Sequence, residues 1–361
     1  MSDPNLPESR PARGRRKRSQ KKEAEIVLIC NPRAGGRWKE LAGILDSEEA
    51  QYVRRIVTDA VEDIAEAIGE TSQDAKLLCI YGGDGTIQRV LERIQPAQMH
   101  LAMLGGGTMN VTSRWCGFST NPTDNFLHVV RGYRSGELLF KEIPLLEVRT
   151  GQELHRGFTF GMGPIIHLLD AYERGRKGKL GALSTAARGL AGVWAPWRTA
   201  YSELLELMRA EVVLDGERIP HDKFSAVFAN VTGQINLGVQ PFIDARSRDR
   251  FLCAAIAVSA REFTLAMPML MRGWMPPDKS TLFQPHRLLE RFKNPALFTD
   301  PRYVNKTGAR LDIKTTDQLY TVDGEIMEAH DGAVSVDVGP QVRLAVGPQT
   351  KLAQLKTLLT K

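Results

Sequence analysis

Cysteine is scarce in this chain of 361 residues: Cys30, Cys79, Cys116 and Cys253 stand far apart and form no CxxC pair. Cys30 and Cys79 lie inside apolar runs, so they read as buried, reduced thiols and point to a reducing compartment. Long hydrophobic runs are missing too. No stretch approaches the roughly 18 apolar residues of a membrane-spanning helix, and the polar, basic N-terminus lacks the apolar centre of a secretory signal. The expected location is the cytoplasm, with membrane contact only peripheral, at the inner face. The seven histidines are scattered without metal-ligand spacing, and no internal repeat is evident by eye.

Acid is absent from Arg10 to Lys22, where eight Lys or Arg residues fall; taking those from the formal charge of +6 leaves −2 on the remainder. A general nucleic-acid-binding surface is therefore not expected. Residues 1–24 read as a disordered, solvated tail, with attraction to an anionic membrane surface as the lesser alternative.

The length suggests two domains. From residue 25 to about 135, strand-like runs alternate with helical periodicity. Ile26 to Cys30 leads into Asn31-Pro32-Arg33-Ala34-Gly35-Gly36, and Tyr52 to Val57 into Thr58-Asp59. Leu77 to Tyr81 leads into Gly82-Gly83-Asp84-Gly85-Thr86, and Leu101 to Leu104 into Gly105-Gly106-Gly107-Thr108-Met109-Asn110. This pattern predicts a helix-covered parallel sheet, with ligands beyond the carboxyl ends of its strands. From 136 to 361 strands dominate, among them Leu138 to Val148, Ala333 to Val338 and Val342 to Val346. A β-sandwich-like second domain is expected there, with the C-terminal segment returning to the first.

Gly82 to Thr86 is the run around which the chain is organised. Glycines let backbone amides approach a phosphate, and the helix that follows, with Ile87, Val90, Leu91 and Ile94 on one face, adds positive potential at its start. A carboxylate in such a cradle repels phosphate unless it holds a metal, orients a hydroxyl or accepts its proton. The plain structural alternative is that Asp84 caps the helix.

Two Asp-Gly-Glu strings occur. Asp215-Gly216-Glu217, in VVLDGERIP, is explained by a tight hairpin turn. Asp323-Gly324-Glu325 precedes the strand-rich end of the chain. The cluster Met267, Met269, Leu270, Met271, Trp274 and Met275 reads first as core packing and second as a lining for an acyl chain. Trp194 and Trp197, after Arg176, Lys177 and Lys179, read first as buried tryptophans beside solvated charge and second as a membrane-facing segment.

The ordered set Asn31-Pro32-Arg33-Ala34-Gly35, Thr58-Asp59-Ala60, Gly82 to Thr86, Gly106 to Asn110 and Asp323-Gly324-Glu325 resembles the diacylglycerol kinase catalytic-domain superfamily, which includes bacterial diacylglycerol, sphingosine and ceramide kinases. The resemblance implies an ATP-binding first domain, a β-sandwich second domain, and transfer of the γ-phosphate to a lipid hydroxyl in the cleft between them. Asn31, Pro32, Arg33, Ala34, Gly35, Thr58, Gly82, Gly83, Asp84, Gly85, Thr86, Gly107, Thr108 and Asn110 would then line the nucleotide site. Asp84 would help hold Mg²⁺, and Asp323 or Glu325 would serve as general base, with the choice among the three acids open. Gln88-Arg89 stands where many members carry Asn or Glu, and Arg248-Asp249-Arg250 is the only counterpart of a family metal turn. An NAD kinase, which shares GGDGT, and a catalytically silent nucleotide- or membrane-binding relative are the rival readings. The oligomeric state, homodimer included, is left open.

Overall fold

Strand β1 (Ile26–Cys30) is apolar throughout and buried on both faces, as is β3 (Leu77–Tyr81); runs of this kind belong in the middle of a covered parallel sheet. In the computed structural model they lie side by side, in register from Ile26 opposite Leu77 to Cys30 opposite Tyr81. The structure describes residues 25–34, 37–58, 61–71, 75–95, 99–107, 110–164, 166, 206–233, 242, 249–270, 274–278, 286, 290 and 299–349.

Strands β2 (Val53–Val57) and β4 (His100–Met103) flank this pair, both parallel. Helices α1 (Trp38–Ile44), α2 (Val61–Thr71), α3 (Asp84–Arg93) and α4 (Val111–Trp115) follow β1 to β4 in turn, and α5 (Pro122–Ser135) completes the layer. The sequence reading leaves α5 unassigned, although its ends are well marked. Asn121 caps it by accepting from the Thr123 amide at 3.0 Å, Pro122 opens it, and Gly136 closes it at a φ of 72°. All four cysteines are free and buried, and burial pushes the Cys30 thiol up to about 12.

The second part begins with β5 (Phe140–Thr150), β6 (Glu153–Gly157) and β7 (Thr159–Met162), followed by β8 (Met208–Leu214), β9 (Glu217–Arg218), β10 (Lys223–Phe224), β11 (Ala226–Asn230) and β12 (Phe251–Ile256). A helix at Ala260–Leu270 precedes β13 (Tyr303–Gly308), β14 (Arg310–Thr315), β15 (Leu319–Val322), β16 (Glu325–Glu328) and β17 (Ala333–Ala345). Six strands form a separate antiparallel sheet in the order β13-β12-β11-β7-β15-β16. The others extend the first sheet through β17, in the order β10-β8-β14-β17-β4-β3-β1-β2. The layer between the two sheets is filled by Leu146, Val148, Phe160, Val212, Phe251, Leu311, Tyr320 and Val336 among others. Thus the fold is an α/β first domain and a β-rich, sandwich-like second one.

Residues 333–338 and 342–346, expected as separate strands, are replaced by one strand that ends at Ala345. β17 pairs antiparallel with β5 from Ser335–Arg149 to Ala345–Phe140, with a bulge between Val338 and Gln341. Gly339-Pro340 at the bulge explains the break in the sequence pattern, since proline and glycine interrupt a ladder locally without ending it. Beyond the bulge, Arg343 and Leu344 pair parallel with His100 and Leu101 of β4.

Of the Met and Trp cluster, Leu270 and Met275 are buried in a smaller core under β11 and β12, whereas Trp274 is exposed. No described helix is long and apolar enough to cross a membrane. The basic tail, Trp194 and Trp197 with their basic neighbours, and Arg248 lie outside the described residues.

Candidate active site

The carboxyl ends of β1, β3 and β4 bring three loops together. Asn31, just after β1, donates from its backbone amide to the Tyr81 carbonyl at 2.8 Å, and from Nδ2 to Thr86 Oγ1 at 3.1 Å. Its Oδ1 accepts from the Arg33 amide at 3.0 Å, which turns the Asn31–Ala34 segment. Gly106 donates to the Gly82 carbonyl at 2.7 Å, so the third loop rests on the second.

That contact is why glycine is required. A Cβ on Gly107 would stand 2.7 Å from the Gly83 Cα, a backbone atom that cannot swing aside. Asn110, expected at the nucleotide, also shapes the loop that would receive it. In the left-handed region at a φ of 49°, it accepts from the Gly107 amide at 2.8 Å and donates to the Gly107 carbonyl at 2.7 Å. Asn110 therefore closes the loop upon itself. Thr58, almost fully buried, likewise gives its hydroxyl proton to the Cys30 carbonyl at 3.1 Å. Gly35 and Thr108 lie outside the described residues.

Capping does not account for Asp84. The N-cap of α3 is Gly83, in extended conformation, and no side chain caps that end. Asp84 sits in the first helical turn, where a carboxylate is stabilised by the helix dipole, and it faces the second domain.

What it faces is the Asp323-Gly324 turn joining β15 to β16. Asp323, at a φ of 51°, and Gly324, at 95°, make a two-residue hairpin with Val322 opposite Glu325. The Asp323 carboxylate accepts from the Phe158 amide at 3.0 Å and the Thr159 amide at 2.8 Å, while its own amide donates to the Thr159 carbonyl at 2.9 Å. Gly157 leaves the space: a Cβ there would lie 2.7 Å from Asp323 Oδ2. Burial first, and then the nearby Asp84 charge, push the Asp323 carboxyl up to about 7, against the pull of the two amides. Glu325 is more exposed but lies against the start of α3, where a Cβ on Gly85 would collide with its carboxylate. Three acids from two domains thus converge on one cradle.

The hairpin reading of Asp215 holds, yet it does not separate the two strings. Asp215 and Gly216 have φ values of 50° and 83°, and the Asp215 carboxylate accepts from two successive amides, Ala309 and Arg310, at 2.9 Å each. Its amide donates to the Arg310 carbonyl at 2.9 Å. The same turn is built twice. The difference lies in the neighbour, because Arg250 pairs with Asp215 at 3.0 Å. Burial pushes that carboxyl up, but the amides and Arg250 outweigh it and hold it below the ordinary range.

Sequence reasoning missed the amides of Phe158 and Thr159, which as backbone donors carry no side-chain signature, and Asn230. Asn230 Nδ2 donates to Thr159 Oγ1 at 2.7 Å, and its Oδ1 accepts from the Thr232 amide at 2.8 Å. The Thr232 carbonyl in turn accepts from Trp115 Nε1 at 2.9 Å, which ties α4 to the end of β11.

A cradle of glycine amides beside paired carboxylates, set between an α/β domain and a β-rich one, has the chemistry that phosphoryl transfer calls for. Residues 25–136 match the family described as the diacylglycerol kinase catalytic domain. The match bears out the resemblance drawn from the motifs for that segment, which holds the glycine cradle and Asp84. Among solved structures it is similar to a diacylglycerol kinase from Bacillus anthracis str. Sterne, with a TM-score of 0.59 and 19% identity over 91% of this chain and 98% of that one. A second structure from that organism gives 0.60 and 16%, over 90% and 98%. An NAD kinase from Archaeoglobus fulgidus in complex with ATP gives 0.45 and 8%, over 90% and 94%. No curated protein matches the chain.

Proposed function

We propose that the protein is an ATP-dependent lipid kinase, transferring the γ-phosphate of ATP to the hydroxyl of a diacylglycerol or a related lipid or sphingoid acceptor at a membrane surface. The observation that carries this reading is the convergence of Asp84, Asp323 and Glu325 on the glycine cradle from opposite sides of the domain junction. Amides of Gly82 to Thr86 receive the phosphates, while Gly106 and Gly107, whose amides are taken by the Gly82 carbonyl and Asn110, serve by leaving room for the approach.

In the reaction the acceptor oxygen forms a bond to the γ-phosphorus, the bond from that phosphorus to the β–γ bridging oxygen breaks, and ADP leaves. The acceptor's proton goes to Asp323. A carboxyl near 7 is half-ionised at neutral pH and is a stronger base than an ordinary one. Its two amide bonds fix its orientation without neutralising it.

No cluster of three or more metal-ligating side chains occurs among the described residues, but Mg²⁺ does not need one. It is commonly held by one or two carboxylates together with substrate phosphates. Asp84, beside the cradle, fits as that carboxylate, and the ion would neutralise charge on the phosphates. Glu325, against the first turn of α3, stands by as the second acid.

The test is transfer of labelled γ-phosphate from ATP to mixed micelles of diacylglycerol, monoacylglycerol, ceramide, sphingosine or phosphatidylglycerol, with NAD in a parallel tube. Label in a lipid is the expected result and names the acceptor class. Label in NAD alone transfers the protein to the rival branch of kinases, and label nowhere, from folded protein that binds ATP, refutes the kinase reading.

A further inference from the structure

Behind Asp84, α3 is fastened to the second domain by a buried ion pair that the reaction does not use directly. Glu92 lies eight residues after Asp84, about 12 Å along the helix. Its Oε1 meets His155 Nδ1 of β6 at 2.9 Å, and the two side chains are only 10% and 13% exposed. β6 then runs on to Phe158 and Thr159, whose amides hold Asp323. Gln88 strengthens the contact: buried on the same helix face, it donates to Glu92 Oε1 at 3.4 Å and reaches Met327 Sδ of β16 at 4.0 Å. The connections form a closed frame running from Asp84 down α3 to Glu92, across to His155, and up β6 to the cradle of Asp323.

We infer that Glu92 and His155 are a positioning pair for phosphoryl transfer, holding Asp84 and Asp323 at their working separation across the domain junction. The inference rests on the kinase reading above. Neither residue touches a reacting atom; both act through the acids that do.

Charged groups surround the pair from every element packed on it. Arg89 and Arg93 of α3 meet Glu92 Oε2 at 3.1 and 3.7 Å. Glu153 of β6 meets His155 Nε2 at 3.4 Å and is shared with His330 at the same distance. The Tyr320 ring of β15 lies 6.4 Å from the imidazole. Glu92 raises the His155 value, burial opposes it, and Glu153 adds to the rise. Glu92 itself is pushed up by burial but held low overall by His155 and Arg89.

The direction of the pH effect follows. A histidine whose folded value is raised keeps its full charge-assisted bond at low pH and loses the charge as pH rises through that value. The neutral ring still bonds to Glu92, at roughly half the strength. The pair therefore loosens at high pH without parting, so kcat falls to a lower plateau and not to zero.

The experiment measures kcat and the KM for ATP against pH in the wild type, Glu92→Gln and His155→Gln, together with the imidazole titration of His155 by NMR in the first two. The wild type should show an alkaline step in kcat that coincides with a His155 titration above the ordinary 6.5. Both variants should lose the step and lie about tenfold below wild type in kcat near neutral pH, a loss in keeping with slight misplacement of reacting groups. The KM for ATP should stay within about twofold, and in Glu92→Gln the His155 titration should fall back. Melting temperatures identify any variant that fails only by unfolding, and the surviving one decides. Alkaline limbs that superimpose in wild type and folded variants, or a wild-type His155 titrating at its ordinary value, overturn the pair while leaving the kinase intact. A wild type that phosphorylates no lipid overturns the kinase reading and this role with it.

Discussion

Replacing Asp84 by Asn takes one charge from a facing pair of acids, and the structure gives the consequence a sign and a size. Raising the Asp323 carboxyl from 3.8 to about 7 corresponds to about 4 kcal/mol against its ionisation in the fold. Burial is the larger cause and stays in the variant, so removing the Asp84 charge relieves only the smaller part of that rise. Because the folded value lies above the unfolded one, Asp323 costs nothing below the ordinary carboxylate range. Its cost grows as pH rises and is complete above about 7. Asp84→Asn gives up the helix-dipole stabilisation of that carboxylate but is relieved of the repulsion as pH rises, so its melting temperature should gain on that of the wild type between pH 4 and pH 8. Thermal melts in EDTA at the two pH values, with lipid phosphorylation measured alongside, make the check. The same variant should transfer phosphate at a rate lower by a factor of 10² or more. A difference between variant and wild type that is the same at both pH values, or that moves against the variant on going to pH 8, would refute the account of Asp84 and Asp323 as mutually opposed charges.

Asp323→Asn should lower kcat by about 10²–10⁴-fold, and near-wild-type transfer by the folded variant would end its role as base. Asp215→Asn occupies the same turn away from the cradle; it should keep its specific activity while losing about 1–2 kcal/mol of stability, read by urea unfolding, because the Arg250 pair and two amide bonds weaken. Gly85→Ala displaces only the flexible end of Glu325, so melting should hardly change while transfer falls, and undiminished transfer would show that Glu325 is dispensable. Gly107→Ala meets the Gly83 backbone and should destabilise by about 1–3 kcal/mol, which a calorimetric melt will show.

The cradle was legible because its signals are local. A run buried on both faces, a glycine turn and an amphipathic helix appear in that order in the residues themselves, and β3 and α3 follow them. The roles of single residues were less legible. Asn110 and Thr58 have the side chains of phosphate binders, and the backbone partners they take in the fold, Gly107 and Cys30, are not marked by residue type. The two Asp-Gly-Glu strings show the boundary most clearly. They encode the same turn with the same two-amide clasp, and only tertiary neighbours, Arg250 for one and Asp84 for the other, make one a neutralised brace and the other a raised acid. Those neighbours stand 35 and 239 positions away in the chain, beyond any local pattern.

The antiparallel ribbon of β5 and β17 carries a mechanical consequence. It runs unbroken, but for one bulge, from the β-rich part to the edge of the parallel sheet, where β17 joins β4. Two domains joined by a flexible linker can swing apart like a jaw. Here such a swing would shear a hydrogen-bonded girder, whereas winding or unwinding the girder leaves its ladder intact. Any motion that widened the space between the acids would accordingly twist this ribbon as a whole, and Gly339-Pro340, at the bulge, is where its ladder is already interrupted.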